Sequence, residues 1–416
     1  MVQSAFGLMV LLLLAYAISE DRRRIAWKTV GSGMVLMGLL AFALLKLPGT
    51  RYLFVGLNHL VQMLETAIQA GTSFVFGYLG GGALPFDPAG TNGGATYILA
   101  FRGLPLVLLA SALSSLLFYW RVLPWVVRGF AWLLNRTMGV GGAEGLANAA
   151  NVFLGMVEAP LFVRPYLGKV SRGELLSMMT CGMATVAGTV MVLYAGILSS
   201  VLPDAMGHIL IASIISTPAA IVVSRIMVPT PKDRVTDADI SVPSEAGSAM
   251  EAVANGTMEG VTLLINIVAL LVVLVALVKL TNLFLAWLPA VGGDPLTLQR
   301  ILGVMMAPLM WLIGIPWSEC MTAGGLMGIK TVLNEFLAYI ELSRVSAEAL
   351  SPRSRLILTY AMCGFANPGS LGIMIGGLGV MAPERRAEIV QLGVKSILAG
   401  TLATCMAGAV VGMIGG

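Results

Sequence analysis

Charged side chains are scarce along this chain of 416 residues. Only 11% of the residues are Asp, Glu, Lys or Arg, whereas 57% are hydrophobic, and the mean hydropathy is +0.90. Soluble domains carry roughly 25% charged residues, so this composition excludes an ordinary soluble class. Uncharged stretches such as 2–19, 29–45, 175–202 and 261–278 are long enough to cross a hydrocarbon core about 30 Å thick. The chain is therefore predicted to be an integral membrane protein.

Residue patterns for metal binding, nucleophilic catalysis and ATP use are missing as well. His59 and His208 are the only histidines, and the four cysteines lie in apolar segments without metal-ligand spacing. These features predict buried free thiols and neither a zinc site nor a catalytic triad. No Gly-x-x-x-x-Gly-Lys-Ser/Thr phosphate loop occurs, so direct drive by ATP is disfavoured. The net charge of +4 is spread over short loops and predicts no nucleic-acid partner.

Basic residues set the predicted orientation. The first loop carries Arg22, Arg23, Arg24 and Lys28, and the positive-inside rule places it in the cytoplasm with the N-terminus outside. The stretch 2–19 could instead be a signal peptide, but it lacks a basic start and a small-residue cleavage site. It is therefore interpreted as a retained span. Under this topology most of the Lys and Arg residues are cytoplasmic, and both termini lie outside.

Two polar, interrupted segments do not fit ordinary spans. Residues 141–169 contain Glu158, and residues 318–342 contain Glu335. Irregular backbone at membrane depth persists only where protein or a water-filled cavity satisfies it, so each segment is predicted to be a re-entrant hairpin. The predicted fold is all-α and polytopic, with eight transmembrane helices and these two hairpins. The helices are placed at about 2–19, 30–47, 97–119, 175–202, 209–227, 261–288, 356–384 and 394–414.

The two halves of the chain share an order of features. Glu158 precedes a span interrupted at Cys-Gly-Met-Ala, residues 181–184, and Glu335 precedes a span interrupted at Cys-Gly-Phe-Ala, residues 363–366. One hairpin enters from the inside and the other from the outside, so the halves form an inverted repeat with discontinuous helices. This architecture is typical of secondary transporters, whose solute and ion sites lie at the repeat junction.

The two hairpin glutamates are the leading candidates for solute contacts. An ionised carboxylate in the bilayer costs at least ~2.5 kcal/mol on insertion scales, so each is expected to face a polar cavity or a partner. A structural ion pair, Glu158 with Arg164 or Glu335 with Lys330, is the alternative. The separations of six and five residues do not match the helical spacing of three or four, which weakens that alternative.

Two groups of uncharged residues supply further candidates. Pro368 and Gly369, between Asn367 and Ser370, predict an unwound helix whose freed backbone coordinates a solute or cation. A packing kink, with Asn367 bonded to the backbone, is the other interpretation. Asn151 and Thr185 offer neutral oxygens that suit a hard cation, or bonds between neighbouring helices.

Residues 155–160, 328–339 and 363–367 together resemble the concentrative nucleoside transporter family. The most specific elements are Asn-Glu-Phe at 334–336 and Cys-Gly-Phe-Ala-Asn at 363–367, and the resemblance spans nearly the whole chain. Members of that family are homotrimers that carry nucleosides inward, commonly with sodium, by moving a transport domain against a scaffold. The resemblance implies a nucleoside substrate, Na+ as the coupling ion and a homotrimer in the lipid bilayer.

The resemblance also implies a division of the chain. Residues 1–120 would be scaffold spans one to three, 121–228 the first repeat of the transport domain, 229–259 a cytoplasmic loop, 260–290 scaffold span six and 291–416 the second repeat.

Site residues follow from the resemblance by position. Glu335, Asn367 and Ser370 resemble ribose-hydroxyl ligands, Glu158 and Phe365 would border the nucleobase, and Met156, Val157 and Val190 complete the substrate set. The sodium ligands would be the side chains of Asn151 and Thr185 with the carbonyls of Leu154 and Val186.

The chain departs from the family pattern at the base-binding end. Met156 and Val157 stand where many members carry Gln and Thr, so the polar groups that bond the base are replaced by apolar ones. Pro368 and Gly369 are a second departure, which could reshape the ribose end. An apolar pocket recognises a nucleobase mainly by stacking and shape, which suggests broad or purine-tolerant selectivity.

The predicted function is import of nucleosides by sodium symport through alternating access, in a bacterial-type cell inner membrane. The alternative is a proton-coupled transporter of nucleosides or of another ribosylated or heterocyclic solute. An intramembrane enzyme using the two glutamates is disfavoured because other catalytic groups are lacking. A passive channel is disfavoured because occluding hairpins imply a bound intermediate.

Overall fold

The computed structural model describes residues 2–47, 49–85, 98–230, 236, 246–291, 293 and 295–415. These residues form α-helices joined by turns and short 3-10 segments, without a β-strand in the described ranges. The helices are α1 Val2–Ala17, α2 Trp27–Lys46, α3 Thr50–Phe76, α4 Leu99–Arg102, α5 Leu106–Tyr119, α6 Val122–Met138, α7 Gly142–Ala150, α8 Glu158–Leu161, α9 Arg172–Ala184, α10 Gly188–Leu198, α11 Ala205–Met227, α12 Ala249–Leu285, α13 Leu298–Leu312, α14 Trp317–Val332, α15 Glu335–Arg344, α16 Pro352–Met362, α17 Pro368–Met381 and α18 Arg386–Ile414.

Several of these helices have the length and composition to cross a bilayer, which confirms the all-α membrane fold. In the part of the chain that the structure describes, six segments qualify outright, and α13 with α14 forms a bent pair at 119°. The predicted first span is the shorter apolar helix α1, of 16 residues, and the predicted seventh is divided between α16 and α17. The number of eight spans stays a prediction.

Each predicted hairpin is interrupted immediately before its glutamate. Glu158 is the first residue of α8, after the turn that follows α7, and Glu335 is the first residue of α15, after the end of α14. Local chemistry explains the second position, because Asn334 caps α15 by accepting from Leu337 N at 2.9 Å. The two glutamates thus occupy equivalent places in the two halves.

Each predicted discontinuous span is likewise broken, between α9 and α10 and between α16 and α17. Asn367 caps α17 by accepting from Ser370 N at 2.8 Å, and Pro368 suits its first position, where no amide donor is needed. The two breaks lie against each other. A Cβ atom at Gly364 would come within 2.7 Å of Met183 O, at the end of α9.

The core lies around α11, and α12 lies at the periphery. In the most apolar stretch of α11, 89% of the residues are buried inside the protein. In the corresponding stretch of α12, no residue is buried. Helix α12 packs along α5 and leaves large apolar side chains such as Val272 and Leu283 exposed. That surface is suited to lipid or to another protein.

Two helices begin earlier than the sequence suggested. Helix α12 starts at Ala249, inside the predicted cytoplasmic loop 229–259, because Ser248 caps it by accepting from Glu251 N at 3.1 Å. Helix α18 starts at Arg386, well before the predicted 394. Residues 231–235 and 237–245 of the predicted loop lie outside the described residues.

Candidate substrate and ion site

Glu335 is held between the two repeats. The Tyr194 hydroxyl, on α10, donates to Glu335 Oε1 at 2.6 Å, and Asn367 Nδ2, at the break before α17, donates to Oε2 at 3.3 Å. The side chain is buried, with a relative exposure of 4%. Its position at the first residue of α15 also places the carboxylate near the positive end of the helix dipole. Remaining lone pairs of the carboxylate are available to hydroxyl donors.

The Asn367 amide makes the backbone bond expected of a packing kink and a second bond to the Glu335 carboxylate. Its Oδ1 caps α17 while its Nδ2 bonds Glu335, so one amide fixes both the break and the carboxylate. Ser370 is buried in the same first turn, and Phe365, in the break, is half-buried. The structure therefore brings Glu335, Asn367 and Ser370 together, as predicted for one end of a solute site.

The hairpin glutamates do not form the suggested ion pairs. Neither Glu158 with Arg164 nor Glu335 with Lys330 is among the ion pairs of the described residues. Lys330 is fully buried on α14, and its Nζ has no hydrogen-bond partner. Neither carboxylate is therefore held in a direct ion pair in the described part of the chain, although the Lys330 ammonium lies near enough to Glu335 to attract it electrostatically.

Glu158 lies on the first predicted hairpin, at the first residue of α8. Its side chain is exposed and folds over Gly155, where an added Cβ atom would lie 2.0 Å from Glu158 Oε2. Met156 packs against Gly182 of α9, and Val157 packs against Gly377 of α17. The apolar pair therefore holds the hairpin tip against helices of both repeats.

The predicted sodium ligands lie in the first hairpin and the α9–α10 break. Asn151 is 1% exposed, yet both its Nδ2 and its Oδ1 lack a hydrogen-bond partner. Thr185 Oγ1 donates to Cys181 O at 2.8 Å and keeps lone pairs for a cation. Leu154 and Val186 lie outside helices. The Asn151 amide is buried without a protein partner and its oxygen is free to coordinate a cation, so the chemistry of this set fits Na+.

A backbone bond fixes the hairpin against that break. Gly188 N donates to Phe153 O at 2.9 Å, and Val186 N donates to Ser213 Oγ at 3.2 Å. The predicted ion ligands are therefore carried by segments that are tied to each other.

Sequence reasoning missed Tyr194. It lies one helical turn after Val190, which is buried at the start of α10, and this spacing was the available sign of a shared face. The significance of its hydroxyl depends on a contact with Glu335, 141 residues away.

Models of known families match most of the chain. The Na+ dependent nucleoside transporter N-terminus matches residues 6–79 and its C-terminus matches residues 208–412, while a nucleoside recognition model matches residues 100–201. Nucleoside permease NupC of Helicobacter pylori is 33% identical over 415 residues, covering 99% of this chain and 97% of the permease. The chain belongs to the concentrative nucleoside transporter family.

Another permease and two solved structures support the same family assignment. The putative nucleoside permease NupX of Escherichia coli is 32% identical over 420 residues, covering 99% of this chain and 98% of its own. A structure of CNTnw in an inward-facing substrate-bound state matches with a TM-score of 0.90 at 33% identity, covering 100% of this chain and 99% of that one. A CNTnw variant in an outward-facing state also gives 0.90, at 31% identity, covering 100% and 97%.

Family membership confirms the resemblance found in the sequence. The relatives are transporters rather than enzymes, and this concentrative nucleoside transporter family member is a membrane transporter. Because both inward-facing and outward-facing structures share its fold, alternating access is its mode of transport.

Proposed function

We propose that this transporter imports nucleosides together with sodium across a bacterial-type inner membrane. The observation that carries the proposal is the buried Glu335 carboxylate, held by Asn367 and Tyr194 at the junction of the two repeats. A fixed carboxylate beside an amide is a good acceptor pair for vicinal hydroxyls, as on a ribose ring. The alternative of another ribosylated or heterocyclic solute is an outcome of the uptake test below.

Ribose recognition would follow from the cost of leaving these acceptors unpaired. A buried acceptor without its donor costs about 1–3 kcal/mol, and more when charged. A deoxy analogue lacking the matching hydroxyl would bind correspondingly more weakly. Phe365, Val190 and the hairpin tip with Glu158 would lie at the nucleobase end.

Sodium coupling is supported by the unsatisfied amide of Asn151. Together with Thr185 Oγ1 and the carbonyls of Leu154 and Val186 it offers neutral oxygens, which a hard monovalent cation accepts. A proton would not need such a ligand set. Because the set is built on the α9–α10 break, binding of the ion would order the segment beside the first hairpin.

The same proposal covers the assembly. Residues 1–120 and 260–290 would form a scaffold, and 121–228 with 291–416 would form the mobile transport domain. Residues 229–259, of which 249–259 begin helix α12, would connect the two. The exposed apolar face of α12 supports a scaffold role, in a homotrimer embedded in lipid with both termini outside the cytoplasm.

Uptake of radiolabelled uridine and adenosine into proteoliposomes tests the proposal. An inward sodium gradient without a pH gradient should drive accumulation, and an inward pH gradient without sodium should not. Glu335→Gln and Asn367→Ala should lower nucleoside affinity by about tenfold or more, since a charged hydrogen bond contributes roughly 1.5–3 kcal/mol.

Glu341→Gln is the matched control, because Glu341 lies on the same helix with a side chain 47% exposed. It should retain uptake. Accumulation driven by protons alone would refute sodium coupling, and wild-type behaviour of Glu335→Gln would refute the assigned site. A thermal-shift series with and without sodium gives an independent measure of binding.

A further inference from the structure

A row of buried polar side chains runs beside the proposed sodium site, and only Ser213, which accepts from Val186 N, touches a proposed ligand. We name it the polar track. It lies on α7, α9 and α11, and all its members are fully buried: Glu144, Asn148, Ser177, Thr180, Ser213 and Thr217. Glu144, Asn148 and Asn151 are separated by four and three residues, so they share one face of the first hairpin.

Hydrogen bonds and close contacts connect the polar track from α7 to α11, apart from Thr180, whose hydroxyl has no partner in the described part of the chain. Asn148 Nδ2 donates to Ser177 Oγ at 3.0 Å, and Ser177 lies beside the Glu144 carboxyl. Cys181 Sγ contacts Asn148 O at 3.4 Å and Thr217 Oγ1 at 3.7 Å. The chain of contacts therefore passes from α7 through α9 to α11.

One end of the polar track reaches the proposed sodium site. Thr217 Oγ1 donates to Ser213 O at 3.0 Å, and Ser213 Oγ accepts from Val186 N at 3.2 Å. Val186 is one of the proposed carbonyl ligands. From Glu174 to Thr185, α9 rises about 16 Å, so the polar track covers a large part of the bilayer core.

Many atoms of the polar track have no partner. Glu144 Oε1, Asn148 Oδ1 and Thr180 Oγ1 are buried and unbonded, as are both amide atoms of Asn151. Buried polar atoms are costly unless paired, and in native proteins such groups are satisfied by protein, ordered water or an ion. A row of them on facing helices offers each water several partners.

The other end of the polar track is closed by an ion pair. Arg225, on α11, bonds Glu144 Oε2, and both side chains are buried. Beside this pair Glu174 accepts from Thr236 N at 2.9 Å and from Thr236 Oγ1 at 3.1 Å. Thr236 belongs to the predicted cytoplasmic loop, so this end faces the cytoplasm under the predicted topology.

We propose that the polar track holds ordered water and is the route by which the coupling sodium ion leaves for the cytoplasm, with the Arg225–Glu144 pair as its inner gate. This inference rests on the proposed sodium coupling. Hydroxyl and amide oxygens replace part of the hydration shell of a monovalent cation, and the Glu144 carboxylate attracts the cation toward the cytoplasmic end. The buried arginine opposes passage until the pair separates.

Replacing Thr180 by Val tests the route. Without water, removal of an unpaired buried hydroxyl would be neutral or stabilising, so a structural role predicts no loss of transport. If Thr180 lies on the route, the Thr180→Val variant deprives the passing sodium ion of one coordinating oxygen. Sodium-driven net uptake should then fall about tenfold, the rate factor for one charged hydrogen bond.

The diagnostic readout is the ratio of net uptake to exchange. Nucleoside exchange with saturating sodium on both sides needs no sodium release, so Thr180→Val should leave it at the wild-type rate. Thr359→Val is the matched control, since Thr359 is also fully buried in a helix but lies on α16, with its hydroxyl bonded to Arg355 O at 2.8 Å. It should change neither rate. Asn148→Leu provides a second route variant with the same expectation.

The gate is tested by the double variant Glu144→Gln with Arg225→Gln, which removes both charges together. Uptake of labelled sodium without nucleoside should rise severalfold above the wild-type leak. An unchanged leak would overturn the gate.

Failure of the route and failure of sodium coupling give different results. Suppose that wild-type uptake depends on sodium. If Thr180→Val and Asn148→Leu then lower net uptake and exchange equally, or lower neither rate, the route is wrong and the sodium coupling stands. If wild-type uptake is independent of sodium, both are wrong.

Discussion

The Tyr194 hydroxyl links the first repeat to the carboxylate of the second. Its ring packs between Tyr339 and Phe336, with centroid distances of 5.1 Å and 6.0 Å, so the hydroxyl has little freedom to leave Glu335. Tyr194 and Asn367 together set the orientation of the carboxylate before a substrate arrives. Preorganisation of this kind reduces the ordering cost of binding.

Tyr194→Phe should therefore weaken nucleoside binding. The substitution keeps the ring and removes the donor to Glu335, and a hydrogen bond to a charged group contributes about 1.5 kcal/mol or more, which corresponds to roughly tenfold in Kd. Isothermal titration with sodium present measures it. Tyr339→Phe is the control: Tyr339 is equally buried, but its hydroxyl donates to Thr359 O at 2.9 Å, so its loss should lower thermal stability and leave Kd unchanged. Equal loss of affinity in both variants would contradict the role of Tyr194.

Met156 and Val157 give a prediction about selectivity. Because neither can bond a base, the wild-type transporter should carry adenosine and uridine at comparable rates. Met156→Gln with Val157→Thr should introduce discrimination, measured by competition uptake. Val380→Thr, on the exposed surface of α17 at 77% exposure, is the control and should not alter it. Strict pyrimidine selectivity of the wild-type protein would contradict the hypothesis.

At the scale of single residues, the sequence singled out residues whose chemistry is unusual for an apolar segment. Glu335 and Asn367 were found because a charge and an Asn-Pro-Gly break are anomalous in apolar segments. Tyr194 is an ordinary residue in an apolar helix, and its role arises only when α10 meets α15. The packing of Met156 and Val157 against glycines of two helices was hidden for the same reason.

At the scale of elements, the helix breaks are held open by their mutual contact. Gly364 has φ +157° and approaches Met183 O and the Ala184 backbone so closely that no side chain fits between them. The sequence predicted both breaks from the composition of each span. It did not predict that they touch, which depends on how the two halves of the chain pack together.

Gly364→Ala should consequently destabilise the transporter. A Cβ atom would lie 2.7 Å from Met183 O in a backbone conformation that L-residues rarely adopt, and such strain costs on the order of 1–3 kcal/mol. Thermal unfolding in detergent should show a lower midpoint. Gly376→Ala, on α17 with nothing within 4 Å of an added Cβ, should leave the midpoint unchanged or raise it, because Ala favours helix. A wild-type midpoint for Gly364→Ala would show that the breaks separate freely.

Helix boundaries were less predictable than helix existence. The beginning of α12 at Ala249 depends on a serine cap and a glutamate three residues later, in a polar segment that composition alone marks as loop. Hydropathy detects the part of a helix that crosses the bilayer, and polar capping extends the helix beyond it.

At the scale of the whole molecule, the inverted repeat was predicted from the order of its features alone. The equivalent positions of Glu158 and Glu335, each opening a helix after a hairpin turn, match that order. Orientation in the membrane is a separate property. It follows from where the basic residues lie, and it decides which end of the polar track faces the cytoplasm.

Cysteine labelling in intact cells tests the orientation. Val2 is 86% exposed and Lys28 is exposed after the basic first loop, while the four native cysteines are buried and give little background. A membrane-impermeant maleimide should label Val2→Cys from outside and should label Lys28→Cys only after permeabilisation, because the positive-inside rule keeps Arg22 to Arg24 in the cytoplasm. The reverse pattern would contradict the predicted orientation. It would also place Arg225 and Glu144 at the outer surface, where the polar track would admit sodium rather than release it.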